Sequence, residues 1–346
     1  MSRTLVIRLS ALGDVAMLVP VLFSVAAKYP DEEFILVTKS PLLGIFEYKP
    51  SNVTVFPIYA KDKHKGIKGL FRLVKELSVL NPDKIVDAHN VLRSMYIRTF
   101  FRLKGKKIGV IDKGKAEKRA LSKRHNKRFV PLKTSIQRYL DVFREVGYDF
   151  ELNFKSIFEY ADRDFNRIEP ITGTKNGSWI GIAPFAKHQG KILPLEKMEE
   201  VLKILSSKPD VKIFLFGGGK EETEVLSAWA ERYPSTICIA GKMKFPEELL
   251  LMSYIDVMLT MDSGNMHLAS LVGTPVVSVW GATHPYAGFY GFGQDSDNAV
   301  QIELPCRPCS VYGNKPCFRN DYACLNRISP EMIVEKIEKQ HSALAN

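Results

Sequence analysis

Between residues 257 and 285 the spacing of apolar side chains changes twice. Residues 257–261 (VMLTM) form an apolar run as long as a buried strand, and residues 276–280 (VVSVW) form a second one. Between these runs, after a polar break at 262–265, apolar residues recur at helical spacing from Met266 to Val272. This order predicts a βαβ unit of a parallel sheet.

The turn of this unit carries polar side chains at the carboxyl end of a strand and the amino end of a helix. Backbone N–H groups and the helix dipole attract an anion at such a position. Asp262, Ser263 and His267 add side chains suited to hydroxyls or phosphate oxygens. The competing interpretation is an ordinary loop in which Asp262 or Ser263 caps the helix.

The same alternation starts the chain. Residues 5–9 predict a strand, 15–29 a helix with apolar residues at helical spacing, and 34–37 the next strand. The first turn contains only Gly13 where a dinucleotide-binding loop has three glycines, which makes a cofactor loop of that kind a poor fit. Asp14 follows at the predicted helix start, where a carboxylate is also a common cap.

A third glycine turn lies in the second half of the chain. The strand predicted at 212–216 ends in Gly217-Gly218-Gly219, which allows a ligand to approach the backbone closely. A carboxylate directly afterwards, Glu221 or Glu222, could accept hydrogen bonds from a ribose diol. Both could equally stabilise the first turn of the following helix.

These elements predict an α/β protein of two doubly wound halves with parallel sheets. The polar segment 162–177 is the expected linker, which gives an N-terminal domain at 1–165 and a C-terminal domain at 177–328. A final helix within 329–346 is expected to pack back on the N-terminal domain. Because ligands bind beyond the carboxyl ends of the strands in such sheets, two facing Rossmann-like halves predict a ligand cleft between the domains.

Positive charge suggests the kind of partner. The net charge is +11, and basic residues concentrate between 61 and 138, with Lys104, Lys106 and Lys107 as one dense group. Such a surface suits phosphates or anionic lipid headgroups, although each single lysine fits a solvated loop equally well. Nucleic acid is a weaker candidate, because the run lacks interleaved aromatic residues and a known binding motif.

The chain shows no apolar run long enough to span a membrane and no secretory signal, so we expect a cytoplasmic protein.

The four cysteines near the C-terminus have spacings compatible with a zinc site, but reduced structural thiols are the preferred interpretation. They are Cys306, Cys309, Cys317 and Cys324. Two Asp-x-Asp sequences, at 162–164 and 295–297, lie in polar loops and are interpreted as chance matches to metal-binding motifs. His284, before a proline, is interpreted as incidental.

Three segments together resemble glycosyltransferase family 9, the bacterial ADP-heptose:lipopolysaccharide heptosyltransferases. They are RLSALGD at 8–14, DSGNMHLA at 262–269 and GATHP at 281–285. The resemblance extends in order over nearly the whole chain. It implies the GT-B fold and transfer of heptose from ADP-heptose to the lipopolysaccharide inner core at the cytoplasmic face of the inner membrane. It implies no metal and no cofactor, since the ADP-sugar is a substrate.

The resemblance also implies roles for individual residues. Asp14 matches the general base, which suits a carboxylate that takes the proton of an acceptor hydroxyl, and inversion is implied. Lys191 matches a lysine that stabilises the departing diphosphate. Ser263 stands where the family usually has threonine, and Ile192-Leu193 stand where it has tryptophan. The residues expected at the nucleotide-sugar site are Glu221 (with Glu222 as its rival), Met243, Asp262, Ser263, Gly264 and His267.

The acceptor region aligns with no motif. We assign Ser10, Gly13, Lys104, Lys106 and Lys107 to acceptor binding as a hypothesis, with an anionic lipid-linked saccharide as the acceptor. The expected partners are therefore a nucleotide sugar, this acceptor and the membrane surface, and not nucleic acid. Two alternatives stay open: a family 9 enzyme with another donor or acceptor, and a non-catalytic nucleic-acid-binding protein with a four-cysteine zinc site.

Overall fold

The computed structural model describes residues 2–345, and the chain divides into two compact units. The first unit consists of Met1–Gly114 and Lys133–Asp162. The second consists of Lys115–Leu132 and Arg163–Asn346. The chain therefore passes from the first unit into the second and back before it leaves the first unit for good.

The first unit is built on a five-stranded sheet of order β3-β2-β1-β4-β5, in which every pairing is parallel. Its strands are β1 (Arg3–Ile7), β2 (Glu33–Lys39), β3 (Val53–Ile58), β4 (Lys84–Asp87) and β5 (Lys107–Val110). The helices up to residue 145 are α1 (Leu12–Lys28), α2 (Gly66–Val79), α3 (Leu92–Leu103), α4 (Lys115–Leu121) and α5 (Ser135–Glu145), of which α4 belongs to the second unit.

Apolar side chains on both sides of this sheet bury its strands. On one side, Leu73 and Leu77 of α2 and Ile97 and Phe101 of α3 join strand residues such as Leu5 in one core cluster. On the other side α1 packs against α5. Strands covered on both faces read as continuous apolar runs, which is why 5–9 and 34–37 were recognisable in the sequence.

The second unit contains a six-stranded, all-parallel sheet of order β11-β10-β9-β6-β7-β8. Its strands are β6 (Ser178–Ala183), β7 (Val211–Leu215), β8 (Thr236–Cys238), β9 (Val257–Met261), β10 (Val276–Trp280) and β11 (Ala299–Gln301). Its further helices are α6 (Glu169–Thr172), α7 (Leu195–Ser206), α8 (Lys220–Arg232), α9 (Phe245–Met252), α10 (Gly264–Leu271), α11 (Ala323–Asn326) and α12 (Pro330–Ala345). Short 3₁₀ helices occur at Ser40–Phe46, Ile157–Glu159, Phe165–Arg167, Gln189–Lys191, Pro285–Ala287 and Ser296–Asn298.

The predicted parallel α/β architecture is confirmed, whereas two of the predicted boundaries need correction. Segment 163–176 is not a free linker, because Ile168 is fully buried and the Phe165 ring contacts the rings of Trp179 and Tyr254 in the second unit. Segment 115–132, assigned to the N-terminal domain from sequence order, lies in the second unit.

The expected position of the last helix is also corrected. α12 packs against α7 and against strands β9, β10 and β11. Ile333, Val334 and Ile337 lie in the core of the second unit, and burial of this apolar stripe explains why the helix belongs there. No helix within residues 2–345 has the length and apolar character needed to cross a bilayer.

Candidate active site

In the first unit β2 and β3 extend the sheet on one side of β1, whereas β4 and β5 extend it on the other side. The order of the strands therefore reverses between β1 and β4. The loops that follow these two neighbouring strands diverge there, and doubly wound sheets bind ligands at such a switch point. The Arg8 guanidinium donates to the carbonyl of Ala88 over 2.8 Å, and the backbone N–H of Leu9 donates to Nδ1 of His89 over 3.3 Å. These two bonds hold the loops together.

Asp14 lies at this switch point, in the first turn of α1. Its Oδ2 forms an ion pair with Arg8 over 2.7 Å and accepts the backbone N–H of Ala11 over 3.2 Å. Asp14 thus caps the helix start through the Ala11 N–H, as its alternative interpretation required, and it is also paired with a buried arginine. With 32% of its side chain exposed, the carboxylate remains accessible to a ligand.

His89 is a further polar group of this site, and sequence reasoning missed it. Burial, together with the charges of Arg8 and Lys113, lowers the pKa of His89 to about 4, so the ring is neutral at pH 7. Because Nδ1 accepts the N–H of Leu9, the single proton of the neutral ring belongs on Nε2. The position of His89 directly after a buried strand was the available signal.

The five residues assigned to acceptor binding do not form one group. Ser10 and Gly13 lie in the loop and first turn beside Asp14. Lys104, Lys106 and Lys107 connect the end of α3 to the start of β5, which is the amino end of that strand. Since all strands of the sheet are parallel, the lysines lie at the edge opposite to Asp14. The lysines are therefore not brought together with Asp14, and their assignment to acceptor binding stays a prediction.

In the second unit the switch point falls between β6 and β9. Lys191 lies in the loop after β6, and Asp262 directly follows β9. The ammonium of Lys191 is 2.8 Å from Oδ2 of Asp262, and both side chains are largely buried. The structure therefore brings together the two charged residues that the sequence placed at different turns.

Three glycines allow the loops around Lys191 to approach one another. A Cβ on Gly281 would lie 2.5 Å from the carbonyl oxygen of Gly190, and a Cβ on Gly190 would lie 2.9 Å from that of Gly313. Gly313 has a φ of +73°, and a Cβ there would lie 2.7 Å from Cγ of Lys191. Backbone packing of this closeness fixes the stem of the lysine and hence the position of its ammonium.

The loop between β9 and α10 contains no side-chain cap from Ser263. Ser263 is the N-cap residue of α10, yet its side chain makes no capping hydrogen bond. Its buried hydroxyl has no hydrogen-bond partner within residues 2–345. Gly264 starts the helix, and His267 is buried one turn further on. The interpretation of Ser263 as an ordinary cap is wrong.

The residues expected at the nucleotide follow the neighbouring strands β7 and β8. Glu222 accepts the backbone N–H of Gly218 over 2.8 Å and so holds the glycine loop itself. Glu221 is exposed in the first turn of α8, and Met243 is half-buried in the loop after β8. Along the carboxyl edge of the sheet the order is therefore Asp262, Lys191, Glu221, Met243.

The remaining candidates have structural roles in the second unit. Asp164 and Asp295 each accept a backbone N–H two residues ahead, as caps of 3₁₀ helices. His284 accepts the N–H of Tyr286 over 3.1 Å and packs against the ring of Phe129. All five cysteines are free thiols, and no group of three or more His, Cys, Asp or Glu side chains in the described chain has a metal-binding arrangement.

Two all-parallel α/β units with the architecture of the solved E. coli heptosyltransferases give the chain the GT-B fold, and its match to a glycosyltransferase sequence profile makes it a glycosyltransferase. The chain belongs to glycosyltransferase family 9 (heptosyltransferase), whose sequence profile matches residues 70–316.

Individual relatives cover most of the chain. The lipopolysaccharide core heptosyltransferase OpsX of Haemophilus influenzae is 27% identical over 296 residues, which are 81% of this chain and 79% of the relative. The structure of the family 9 glycosyltransferase of Veillonella parvula has a TM-score of 0.76 at 19% identity and covers 99% of this chain and 98% of that one. The E. coli heptosyltransferase WaaC with ADP has a TM-score of 0.71 at 19% identity, with 98% and 99% covered, and its complex with ADP-2-deoxy-2-fluoro heptose aligns similarly, at 0.70.

Proposed function

We propose that this enzyme transfers heptose from ADP-heptose to the inner core of lipopolysaccharide, with inversion at the anomeric carbon. The relatives named lipopolysaccharide heptosyltransferases support the acceptor class, and the ligands of WaaC support the donor. The observation that carries the proposal is the placement of Asp14 beside Arg8 at the first switch point, and of Lys191 beside Asp262 at the second.

In the proposed step the Asp14 carboxylate takes the proton of an acceptor hydroxyl. The hydroxyl oxygen forms a bond to the anomeric carbon as the bond from that carbon to the β-phosphate oxygen breaks, and ADP departs with the electron pair. Arg8 and the Ala11 N–H both bind Oδ2, so they fix the orientation of the carboxylate. Oδ1 is the oxygen that we assign to the proton.

The developing charge on ADP is the second requirement. We assign its stabilisation to the ammonium of Lys191 and the free N–H groups at the start of α10, next to the unpartnered hydroxyl of Ser263. Asp262 holds Lys191 in place. Glu221 is assigned to the ribose and Met243 to the adenine. This scheme uses no cofactor and no metal ion, and the membrane surface is where we place the lipid-linked acceptor.

The test is Asp14→Asn, which keeps the size of the side chain and removes its basicity. Transfer from ADP-heptose, assayed with EDTA present, is expected to fall by roughly 10²–10⁴-fold. The rise in melting temperature caused by ADP is expected to persist, because ADP is bound by the second unit. Undiminished transfer by the variant would remove Asp14 from this role.

A panel of nucleotide sugars offered to the unmodified protein tests the donor. A larger transfer rate with a donor other than ADP-heptose would favour the alternative of a family 9 enzyme with different specificity. Complete loss of transfer after removal of metal would contradict the metal-free scheme.

A further inference from the structure

The outer side of α2 and α3, in the first unit, presents large apolar side chains to solvent. On α3, Leu92 is 81% exposed and Leu103 85%, and Met95 lies on the same stripe of the helix. On α2, Ile67 is 74% exposed and Phe71 60%. These residues are not needed for the core, because the opposite sides of both helices already bury their own apolar stripes.

The two exposed stripes are adjacent. The ring of Phe71 contacts the ring of Tyr96 edge to face, with centroids 5.5 Å apart, and thereby connects α2 with α3. Apolar residues scattered singly over a surface are normal, whereas several exposed apolar residues on two adjacent helices are typical of an interaction site.

Basic side chains surround the apolar group. α3 contains no acidic residue, and α2 contains one, Glu76, whose carboxylate is held by Lys63 over 3.0 Å and by His64 over 3.2 Å. The ammonium of Lys104 lies 4.7 Å from the centre of the Phe100 ring at the end of α3. We define the α2–α3 face as Ile67, Lys68, Phe71 and Arg72 of α2 with Leu92, Met95, Arg102 and Leu103 of α3.

We propose that the α2–α3 face docks the enzyme on an anionic lipid bilayer. Apolar side chains enter the boundary between headgroups and acyl chains, while lysines and arginines pair with the anionic headgroups. A second copy of this chain is a poorer occupant, because two such faces would bring their cations together. This inference rests on the proposed function and deepens it, because an enzyme with a lipid-linked acceptor has to reach that acceptor at a membrane.

The experiment is co-sedimentation of the full-length protein with vesicles, without nucleotide or acceptor. Vesicles of phosphatidylethanolamine with phosphatidylglycerol are compared with vesicles of phosphatidylcholine alone. The wild-type protein is expected to bind the anionic vesicles and to detach from them as salt is raised. Leu92→Ser with Leu103→Ser is expected to lower the partition coefficient by roughly tenfold or more.

Two further variants separate the contributions. Lys68→Gln with Arg72→Gln is expected to lower binding to anionic vesicles and to weaken its salt dependence. Val130→Ser, which removes an exposed apolar side chain from the second unit, is the matched control and is expected to bind like the wild type. Melting curves with ADP show that each variant is folded.

Equal vesicle binding by the wild type and by the Leu92/Leu103 variant would overturn the inference. So would a wild-type dimer that this variant dissociates, since the occupant would then be a second copy, or salt-sensitive RNA binding that competes with vesicles. Transfer to a detergent-solubilised acceptor is measured separately: if transfer fails while vesicle binding follows the pattern above, only the proposed function is wrong.

Discussion

At the scale of single residues, the surroundings of His89 in the first unit keep its ring neutral at a pH where a free histidine takes up a proton. Its pKa of about 4 lies below the ordinary value of 6.5, so the unfolded chain takes up a proton at a higher pH than the folded one. The stabilisation is therefore complete above pH 6.5 and is lost as the pH falls through 6.5 towards 4. We expect the free energy of unfolding to decrease over this window.

Urea unfolding at pH 7.5, 6.0 and 5.0 measures this dependence. His89→Gln should flatten part of it, and only part, because burial and the charges of Arg307 and Lys127 also lower the pKa of His284 to about 4. His125→Gln, at an exposed position, serves as the control. A pH dependence that is the same in wild type and His89→Gln would show that His89 is not buried as a neutral ring.

Lys191 and Asp262 permit a sharper test of pairing. Lys191→Met leaves the nearly buried Asp262 carboxylate without its cation, which is expected to destabilise the protein by on the order of 3 kcal/mol. Adding Asp262→Asn should recover much of this stability but not the affinity for ADP, since the cation for the diphosphate is still missing. Urea unfolding and ADP titration of both variants measure the two effects. Recovery of ADP affinity in the double variant would contradict the role of Lys191.

The residues found from sequence were found in two ways. Asp14 and Asp262 come shortly after apolar runs, so their positions at strand ends are predictable from the local pattern. Lys191 lies eight residues beyond the end of β6 and was identified through the resemblance to the family. The partners Arg8 and His89 were not identified, because the contact between Leu9 and His89 depends on β1 lying next to β4. That adjacency joins residues 80 positions apart, and local periodicity does not report it.

At the scale of elements, the loops around Lys191 can pack closely because glycine occupies positions 190, 281 and 313. Gly281→Ala would place a Cβ 2.5 Å from the Gly190 carbonyl oxygen and 2.7 Å from the Leu325 side chain. Because these neighbours are backbone and core, the change is expected to cost about 1–3 kcal/mol and to weaken ADP binding. Gly218→Ala, with no atom within 4 Å of the added Cβ, should leave the unfolding free energy nearly unchanged.

Urea unfolding of both glycine variants, with an ADP titration of each, measures this difference. Equal destabilisation by the two substitutions would mean that the close approach of Gly281 to Gly190 does not make position 281 intolerant of a side chain. If Gly218→Ala weakens ADP binding without loss of stability, the nucleotide lies against the glycine turn.

Sequence analysis predicts no helix at the position of α3, and the distribution of apolar residues on this helix explains why. Helices are recognised by apolar residues on one side, and α3 carries them on two: Ile97 and Phe101 face the core, whereas Leu92 and Leu103 face solvent. The outward stripe obscures the 3.6-residue period. The same residues that hide this helix from pattern analysis form the proposed membrane face.

At the scale of the whole molecule, two α/β units were predictable because glycine turns and apolar runs recur along the chain. That Lys115–Leu132 lies in the second unit was not predictable, because a segment between β5 and α5 is expected to stay in the same unit as its neighbours in sequence. Its contacts are made by long cationic and aromatic side chains: Lys118 over Phe289, and Phe129 against His284. Neither leaves a periodic signal.

Lys127 is the residue we expect to hold this segment on the second unit. Its ammonium lies within 3.3 Å of four consecutive carbonyl oxygens, those of residues 305–308. A cation donating to carbonyls in a half-buried setting makes strong hydrogen bonds, and Lys127→Met removes all of them while keeping much of the stem. Backbone amides of residues 115–132 should then exchange hydrogen roughly tenfold faster, because local opening becomes easier. Lys123→Met, at an exposed position in the same segment, is the control and should leave the exchange unchanged. If the two variants exchange alike, the segment is held by its aromatic contacts and not by the hydrogen bonds from Lys127 to the carbonyl oxygens of residues 305–308.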